Sequence, residues 1–289
     1  MISRYLDNSH NLHSHNYNYN YNYNYNSKMV ELLIGKKVLI FDTETTGLPA
    51  KKPGGKFGTR SEYYSPKFNS AAYDKSRIVS IAWFYTDNFK YNTLDTTKIK
   101  HCIRKPEGFS EIPTTYIHGI SYDDACVNGM LFKDILKNTG LELNLMECDY
   151  IVAHNILFDI HILINELYVS GELIIANKMD NMLDNCQCIC TGEIGRQICK
   201  LGFKNSRIET AQCVPIKCPR YKMPKLSEFY YHIFTREIEN AHSADGDVKA
   251  LMDILKVIAM DYDDDDDGGG DCGGNDHTTI MAIDTLSKI

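Results

Sequence analysis

Short apolar segments recur along the middle of the chain and are separated by polar stretches. Residues 37–42 and 77–85 are rich in β-branched and aliphatic side chains, which predicts two buried strands. Residues 92–104 are expected to pair antiparallel with the second of these strands, and residues 150–153 form a further candidate strand. The pattern therefore predicts a sheet of several short strands.

Helical periodicity appears between and after these strands. Residues 156–168 place aliphatic side chains at helical spacing, with Asn155 as the expected N-cap. Further helices are predicted at residues 131–137, 226–234 and 244–259. Strands that alternate with helices are typical of an α/β fold.

The two ends of the chain differ in composition from its middle. In the leader, residues 1–35, asparagine and tyrosine alternate over a long stretch, and residues 261–289 are rich in aspartate and glycine. Neither end has enough apolar residues to build a core, so both are predicted to be disordered. A single folded domain is expected at residues 36–260.

The negative charge is concentrated near the end of the sequence. The formal net charge is −7 at pH 7, but eight aspartates lie between Asp261 and Asp276, so the rest of the chain carries +1. A near-neutral body excludes a globally basic surface. Any affinity for phosphate must therefore come from a local groove or from bound cations.

Ten cysteines are scattered along the chain without the spacing of a small secreted scaffold, which favours a reducing compartment. The sequence has no apolar leader and no long apolar stretch, so a soluble intracellular protein of the cytoplasm or nucleus, with no membrane partner, is expected. One cysteine-rich connector has an unusual spacing for structural zinc, and these side chains are expected to pack as small hydrophobes. They are Cys186, Cys188, Cys190, Cys199, Cys213 and Cys218.

Asp42 and Glu44 are two residues apart at the end of the first predicted strand, within the segment FDTETTGLP. Alternate residues of a strand project to the same face, so their carboxylates would repel each other unless a cation lay between them. A hard divalent metal ion suits such a pair. The alternative is that both are polar residues of a turn, since TTGLP is good turn chemistry.

Three more residues are candidates for the same chemistry. Asp159, in HNILFD, lies one turn into a helix whose other inward positions are apolar. His242 and Asp247, in AHSADGD, are five residues apart and can converge only if His242 lies on the loop before the helix. Taken singly, each could instead be a surface or capping residue.

The ordered segments FDTETTGLP, HNILFD and AHSADGD resemble the three motifs of the DEDDh 3′-to-5′ exonuclease family. The strongest resemblance is to the proofreading epsilon subunit of bacterial DNA polymerase III and its free-standing relatives. RIVSIAW, IHGIS and PKLSEFYYHIF add to it, and it covers about residues 37–259. It implies an RNase H-like α/β fold, with a mixed sheet of about five strands flanked by helices.

The resemblance also implies a mechanism with two ions of Mg²⁺ or Mn²⁺. Asp42, Glu44 and Asp247 would hold the first ion. Asp42 would bridge to the second, to which Asp159 would contribute directly or through water. His242 would be the general base that takes a proton from the attacking water.

The resemblance implies substrate contacts as well. Thr45 and Leu48 would approach the sugar and base of the terminal nucleotide, and His118 and Asn155 are further candidates for the same pocket. The expected function is removal of nucleotides one at a time from single-stranded or frayed 3′ ends of DNA. The alternatives are an RNA-trimming exonuclease and, in another class, an inactive nucleic-acid-binding protein on the same fold.

The expected partner is therefore a single-stranded 3′ end, and a proofreading role would require a polymerase or repair partner. Residues 50–75 form an insertion beside the first motif that is long for a connection, so it is expected to be functional or mobile. It could grip a single strand by charge and stacking, or be a solvated loop. The residues that could do so are Lys51, Lys52, Lys56, Arg60, Tyr63 and Tyr64.

Overall fold

A computed structural model describes residues 29–56, 58–202 and 221–263. Most of the leader, residues 1–28, and most of the tail, residues 264–289, lie outside the described residues. The same holds for Cys213 and Cys218 of the connector. The expectations for these parts remain predictions.

Five strands form one mixed sheet in the order β3-β2-β1-β4-β5. The central strand β1 pairs antiparallel with β2 and parallel with β4, while β3 pairs antiparallel with β2 and β5 pairs parallel with β4. The predicted mixed sheet is therefore confirmed. The strands are β1 (Val38–Thr45), β2 (Ile78–Thr86), β3 (Lys100–Ile103), β4 (Tyr150–Ala153) and β5 (Cys188–Cys190).

Two strands differ from their predicted extents. β1 continues through the DxE pair to Thr45, so Asp42 and Glu44 belong to a strand rather than to a turn. The third strand was predicted over residues 92–104, but only its last residues form β3. The preceding residues form 3₁₀ turns, one of them capped by the Asp95 carboxylate, which accepts from the backbone N–H of Thr97 at 3.0 Å.

Helices cover both faces of this sheet. The predicted helices at residues 131–137, 156–168, 226–234 and 244–259 are confirmed as α3, α5, α8 and α9, and α9 extends into the aspartate run. Within the described ranges, no helix is both long enough and apolar enough to cross a membrane. The described ranges contain helical residues at 29–31 and nine further helices, which are α1 (Thr115–His118), α2 (Tyr122–Asn128), α3 (Phe132–Asn138), α4 (Leu141–Glu147), α5 (Ile156–Val169), α6 (Leu173–Asp184), α7 (Thr191–Cys199), α8 (Leu226–Phe234) and α9 (Ala244–Asp263).

The side chains of β1 enter two separate apolar layers. Leu39 and Phe41 pack on one face with α3, α4, α5 and α6. Val38 and Ile40 pack on the other face with α7, α8 and α9. Because β1 is covered on both faces, its apolar run is continuous rather than alternating.

Packed structure begins earlier than the predicted boundary at Lys36. Val30 and Leu33 are fully buried in the layer that contains α9. The expectation of disorder up to residue 35 is therefore wrong for residues 29–35. These residues include the short apolar sequence VELLI after Met29, which the predicted domain boundary at Lys36 left out of the folded domain.

The described part of the insertion folds onto the body. Tyr73 is fully buried, and the backbone N–H of Ala50 donates to the carbonyl of Ala72 at 2.8 Å. The Ser70 hydroxyl donates to Oδ1 of Asn165 on α5 at 2.9 Å. The insertion is therefore attached to the helix that carries Asp159.

A buried ionic cluster fixes α5 to the sheet. Glu166 on α5 is fully buried and accepts from Arg77 Nε at 2.7 Å and from Arg77 Nη2 at 2.9 Å. Nη1 of Arg104, which is 1% exposed, lies 2.8 Å from Oε1 of Glu166. The backbone N–H of Ile78 donates to the same carboxylate at 3.2 Å. One acid thus links the helix to the start of β2 and the end of β3.

We expect the substitution Glu166→Gln to destabilise the fold by about 3 kcal/mol, since removing one partner of a buried ion pair leaves uncompensated charge. Urea unfolding measures the change. Glu237→Gln, at an exposed position after α8, is the matched control and should change stability by less than about 0.5 kcal/mol. Equal unfolding midpoints for the two variants would contradict this role of the cluster.

Candidate active site

The carboxyl end of β1 presents two acids on the face that α9 covers. Asp42 lies opposite Ala82 of β2, and Glu44 lies opposite Ser80, just before a register shift between Glu44 and Thr45. Directly opposed residues of antiparallel strands share a face. The small side chains of β2 therefore leave space above the sheet next to both carboxylates.

Asp247, in the first turns of α9, completes a group of three acids. Oxygen atoms of Asp42, Glu44 and Asp247 all lie within 4.8 Å of one another, and each side chain is partly buried. In the part of the chain that the structure describes, this is the one group of three or more potential ligands that could hold a metal ion. The described cysteines of the connector form no such group.

Asp159 approaches from the opposite face of the sheet. It lies in the first turn of α5, is 3% exposed, and its Oδ1 accepts from the Thr43 hydroxyl at 2.6 Å. Thr43 projects away from Asp42 and Glu44, so Asp159 is not a member of the close trio. Sequence reasoning did not identify Thr43 as the partner of Asp159, because the two residues are far apart along the chain.

Burial raises the pKa of all four carboxyl groups, and repulsion from other members of the group raises the pKa of Asp42, Glu44 and Asp159 further. Burial raises the pKa of Asp42 well above its usual range, and Asp159, Asp247 and Glu44 raise it further. The pKa of Glu44 is raised to about 8 by burial and then by Asp247 and Asp159. Burial is also the main cause that raises the pKa of Asp159 to about 7 and that of Asp247 to about 6.

These acids fit a divalent cation. Carboxylate oxygens are the ligands that Mg²⁺ and Mn²⁺ prefer. Oδ1 of Asp247 is buried and has no hydrogen-bond partner among the described residues, which is costly for an oxygen of this kind. A cation next to the trio would satisfy that oxygen and remove the repulsion.

His242 lies on the loop immediately before α9, as the sequence analysis required. Its side chain is exposed, and its backbone has a φ of 66°, in the left-handed region. The charge of protonated His242 and its backbone N–H both lower the pKa of Asp247, which places this residue beside the trio. His242 is thus on the loop before α9 and interacts electrostatically with Asp247.

The first turn of α9 holds the loop of His242 in place. The Ser243 hydroxyl donates to the carbonyl of Asn240 at 2.8 Å and accepts from the backbone N–H of Gly246 at 3.3 Å. A Cβ atom at Gly246 would lie 2.4 Å from the Asn240 carbonyl oxygen. Glycine is therefore required where the loop approaches the helix so closely.

Three of the four predicted substrate contacts surround the end of β1. Leu48, three residues after β1, is 73% exposed, whereas Thr45 is buried and its hydroxyl donates to the carbonyl of Gly47 at 2.9 Å. Thr114 donates its hydroxyl to the Thr45 carbonyl, and Nε2 of His118 lies 3.0 Å from that hydroxyl. His118 therefore supports Thr45 through Thr114. Burial lowers the pKa of His118.

Asn155 does not cap α5 as predicted. It precedes the helix with a φ of 58° and makes no side-chain capping hydrogen bond. Asparagine tolerates this left-handed conformation better than most residues, which accounts for its position here. Its side chain is partly exposed and does not cap the backbone N–H groups at the start of the helix.

No protein-family model matches the chain, and no curated protein matches its sequence. Solved structures do match in fold. The zinc-bound form of an E. coli Exonuclease I complex with single-stranded DNA has a TM-score of 0.51 and 17% identity, over 79% of this chain and 41% of that chain. E. coli Exonuclease I in complex with a dT13 oligonucleotide has a TM-score of 0.49 and 16% identity, over 80% of this chain and 43% of that chain.

The chain thus spans about two fifths of the length of these structures. At 17% identity, the match to the zinc-bound complex shows the fold alone. It agrees with the five-stranded mixed sheet and its two helical layers. The chain has an RNase H-like fold, as its sequence resemblance implied.

Proposed function

We propose that the protein is a metal-dependent 3′-to-5′ exonuclease that hydrolyses the terminal phosphodiester bonds of DNA and releases 5′-mononucleotides. One observation carries the proposal: oxygen atoms of Asp42, Glu44 and Asp247 lie within 4.8 Å of one another at the carboxyl end of β1. Asp159 and His242 lie beside them. Metal-assisted phosphodiester hydrolysis requires such a group of acids together with a base.

The choice of DNA rests on resemblance. Structures of Exonuclease I with single-stranded DNA share the fold, and the motif order resembles that of the epsilon subunit. The acids themselves do not discriminate between DNA and RNA, since none of them is known to contact the 2′ position of the sugar. A comparison of the two substrates therefore belongs in the first assay.

The acids would hold two ions of Mg²⁺ or Mn²⁺. Asp42, Glu44 and Asp247 would hold the first, and Asp42 with Asp159 would hold the second. Bound ions of this kind lower the pKa of a water molecule and stabilise the charge that develops on the phosphate and leaving oxygens. The hydroxyl of Thr43 donates to the Asp159 carboxylate and fixes its orientation.

The remaining residues supply proton transfer and substrate placement. An unprotonated ring nitrogen of His242 accepts the proton of the attacking water, and its exposed position permits proton exchange with solvent. The exposed side chain of Leu48 contacts the terminal base. Thr45, held by Thr114, contacts the sugar, and Asn155 lines the same pocket.

The substitution Asp247→Asn should lower the turnover of a single-stranded DNA oligonucleotide by at least about a hundredfold, because it removes a ligand charge from the trio. Asp245→Asn is the matched control, since it makes the same change two residues away on α9, outside the trio. A gel time course with 5′-labelled DNA and RNA of one sequence, with Mg²⁺, Mn²⁺ or EDTA, measures the rates.

The expected pattern for wild type is a metal-dependent ladder that shortens from the 3′ end. Removal of the imidazole by His242→Ala should lower the rate while leaving the melting temperature unchanged. Equal activity of the Asp247→Asn variant and wild type, or cleavage that proceeds in EDTA, would refute the proposal.

Metal-free protein should lose stability as pH rises. The carboxyl groups have unfolded pKa values of about 4, and folding raises the pKa of Glu44 to about 8 and that of Asp247 to about 6. Their protonated forms thus favour the folded state at low pH, and this contribution is lost as pH rises through the folded values. We expect the melting temperature to fall between pH 5 and pH 8.5, and Mn²⁺ to raise it more at the higher pH.

Glu44→Gln is the control for this experiment because it removes one titrating group at nearly constant shape. Its melting temperature should depend less on pH, and Mn²⁺ should stabilise it less than wild type. If the variant and wild type show the same dependence on pH and on Mn²⁺, the acids are not the origin of the effect.

A further inference from the structure

The insertion at residues 50–75 has the opposite charge to the rest of the chain. It contains six basic and two acidic residues, a net charge of +4, so the remaining sequence carries −11. The charged residues are Lys51, Lys52, Lys56, Arg60, Lys67 and Lys75 against Glu62 and Asp74. Eight of these negative charges lie between Asp261 and Asp276, so the rest of the body carries −3 and the positive charge of this segment is a local feature.

This basic segment lies across the carboxyl edge of the sheet, next to the acids. Its Tyr63 ring packs against the ring of His161 on α5, with 5.5 Å between centroids, and His161 is two residues from Asp159. At its other side, a Cβ atom at Gly58 would lie 3.6 Å from Oε1 of Glu193 on α7. The insertion thus extends from the helix after β4 to the helix after β5. In α/β sheets ligands bind outside this edge.

A buried acid gives the insertion a fixed conformation. Glu62 is 3% exposed and accepts from Lys51 Nζ at 2.7 Å and from the backbone N–H of Gly58 at 2.7 Å. The backbone N–H of Lys52 donates to the Glu62 carbonyl at 2.9 Å. A Cβ atom at Gly55 would lie 2.2 Å from the carbonyl oxygen of Ser61, so the two arms of the turn are in direct contact.

The turn presents two cations to solvent. Lys52 and Lys56 are exposed, and neither forms an ion pair within the described ranges, whereas Lys51 is paired with Glu62. Phe68, further along the insertion, is 78% exposed, and Lys67 Nζ lies 5.8 Å from the centroid of its ring. Exposed cations with an exposed aromatic ring are the groups that bind single-stranded nucleic acid without sequence preference.

We propose that the insertion binds the phosphodiester backbone of the single strand on the 5′ side of the terminal nucleotide. This inference rests on the proposed function, because it assumes that the terminal phosphate lies at the acids. The trio repels a polyanion, so a strand needs compensating contacts once it leaves the site. Lys52 and Lys56 supply them on a preformed turn, which lowers the entropy lost on binding.

The test compares the double variant Lys52→Glu/Lys56→Glu with Lys36→Glu/Lys90→Glu. Lys36 and Lys90 are exposed lysines at the amino end of β1, where the backbone N–H of Phe89 donates to the Lys36 carbonyl. Both variants change the charge equally. Fluorescence anisotropy measures binding of a 5′-labelled sixteen-nucleotide oligothymidylate in EDTA, so that no hydrolysis occurs, and thermal unfolding confirms that both variants fold.

We expect the insertion variant to bind the oligonucleotide at least about tenfold more weakly than the control variant. The binding constant of this variant should also depend less on salt. The slope of log K for oligonucleotide binding against log salt should become shallower by about 1.4, because two phosphate contacts are lost and each contributes about 0.7 on a single strand. The neutral variant Lys52→Gln/Lys56→Gln should lie between wild type and the charge reversal. With Mn²⁺, hydrolysis of a dinucleotide should fall less than hydrolysis of the long strand, since the only phosphate of a dinucleotide is the scissile one and none is left for the lysines to bind.

Equal affinities of the two charge-reversal variants for the oligonucleotide would overturn the inference. The inference would also be overturned if the insertion variant hydrolysed the dinucleotide as poorly, relative to wild type, as it hydrolysed the long strand. The lysines would then act at the terminal nucleotide. If wild type binds through the insertion but releases no nucleotide with either metal, the proposed function fails, and with it the placement of the strand on the 5′ side of a terminal nucleotide, while binding of single-stranded DNA by the insertion stands.

Discussion

Electrostatic repulsion among four carboxyl groups is the constraint on which this structure depends. Asp42 and Glu44 project from one strand, while Asp247 and Asp159 arrive from helices on opposite faces of the sheet. Burial raises the pKa of every member, and neighbouring acids of the group raise those of Asp42, Glu44 and Asp159 further, so full ionisation of the group at neutral pH is unfavourable without a compensating charge. In the function proposed above, a pair of divalent cations would supply that charge.

The rest of the fold holds these acids against their repulsion. Glu166 with Arg77 and Arg104 anchors α5 two helical turns beyond Asp159, which fixes that acid relative to β1. On the other face, Ser243 and Gly246 join the loop of His242 to the first turn of α9. Each helix therefore has its own attachment near the site. The acids are preorganised by contacts that lie outside the reacting region.

Local patterns in the sequence predicted much of this arrangement. The apolar run before Asp42 predicted the central strand. The spacing of His242 and Asp247 predicted that His242 lies on a loop before its helix, since the two side chains could not otherwise converge. Long-range contacts were not predictable in the same way. The partnership of Thr43 with Asp159 spans more than a hundred residues, and the Arg104 to Glu166 contact joins segments without a shared motif. The three-residue strand β5 forms because it pairs with β4. No local sequence pattern predicts this pairing.

The central claim is that the acids bind two metal ions together. Electron paramagnetic resonance of Mn²⁺ titrated into the protein with thymidine 5′-monophosphate measures the number of bound ions and their affinities. Two ions per chain are expected in wild type, and weaker binding of both is expected in Asp42→Asn, because Asp42 would belong to both ligand sets. No bound Mn²⁺ in wild type, or binding that the substitution leaves unchanged, would contradict this claim.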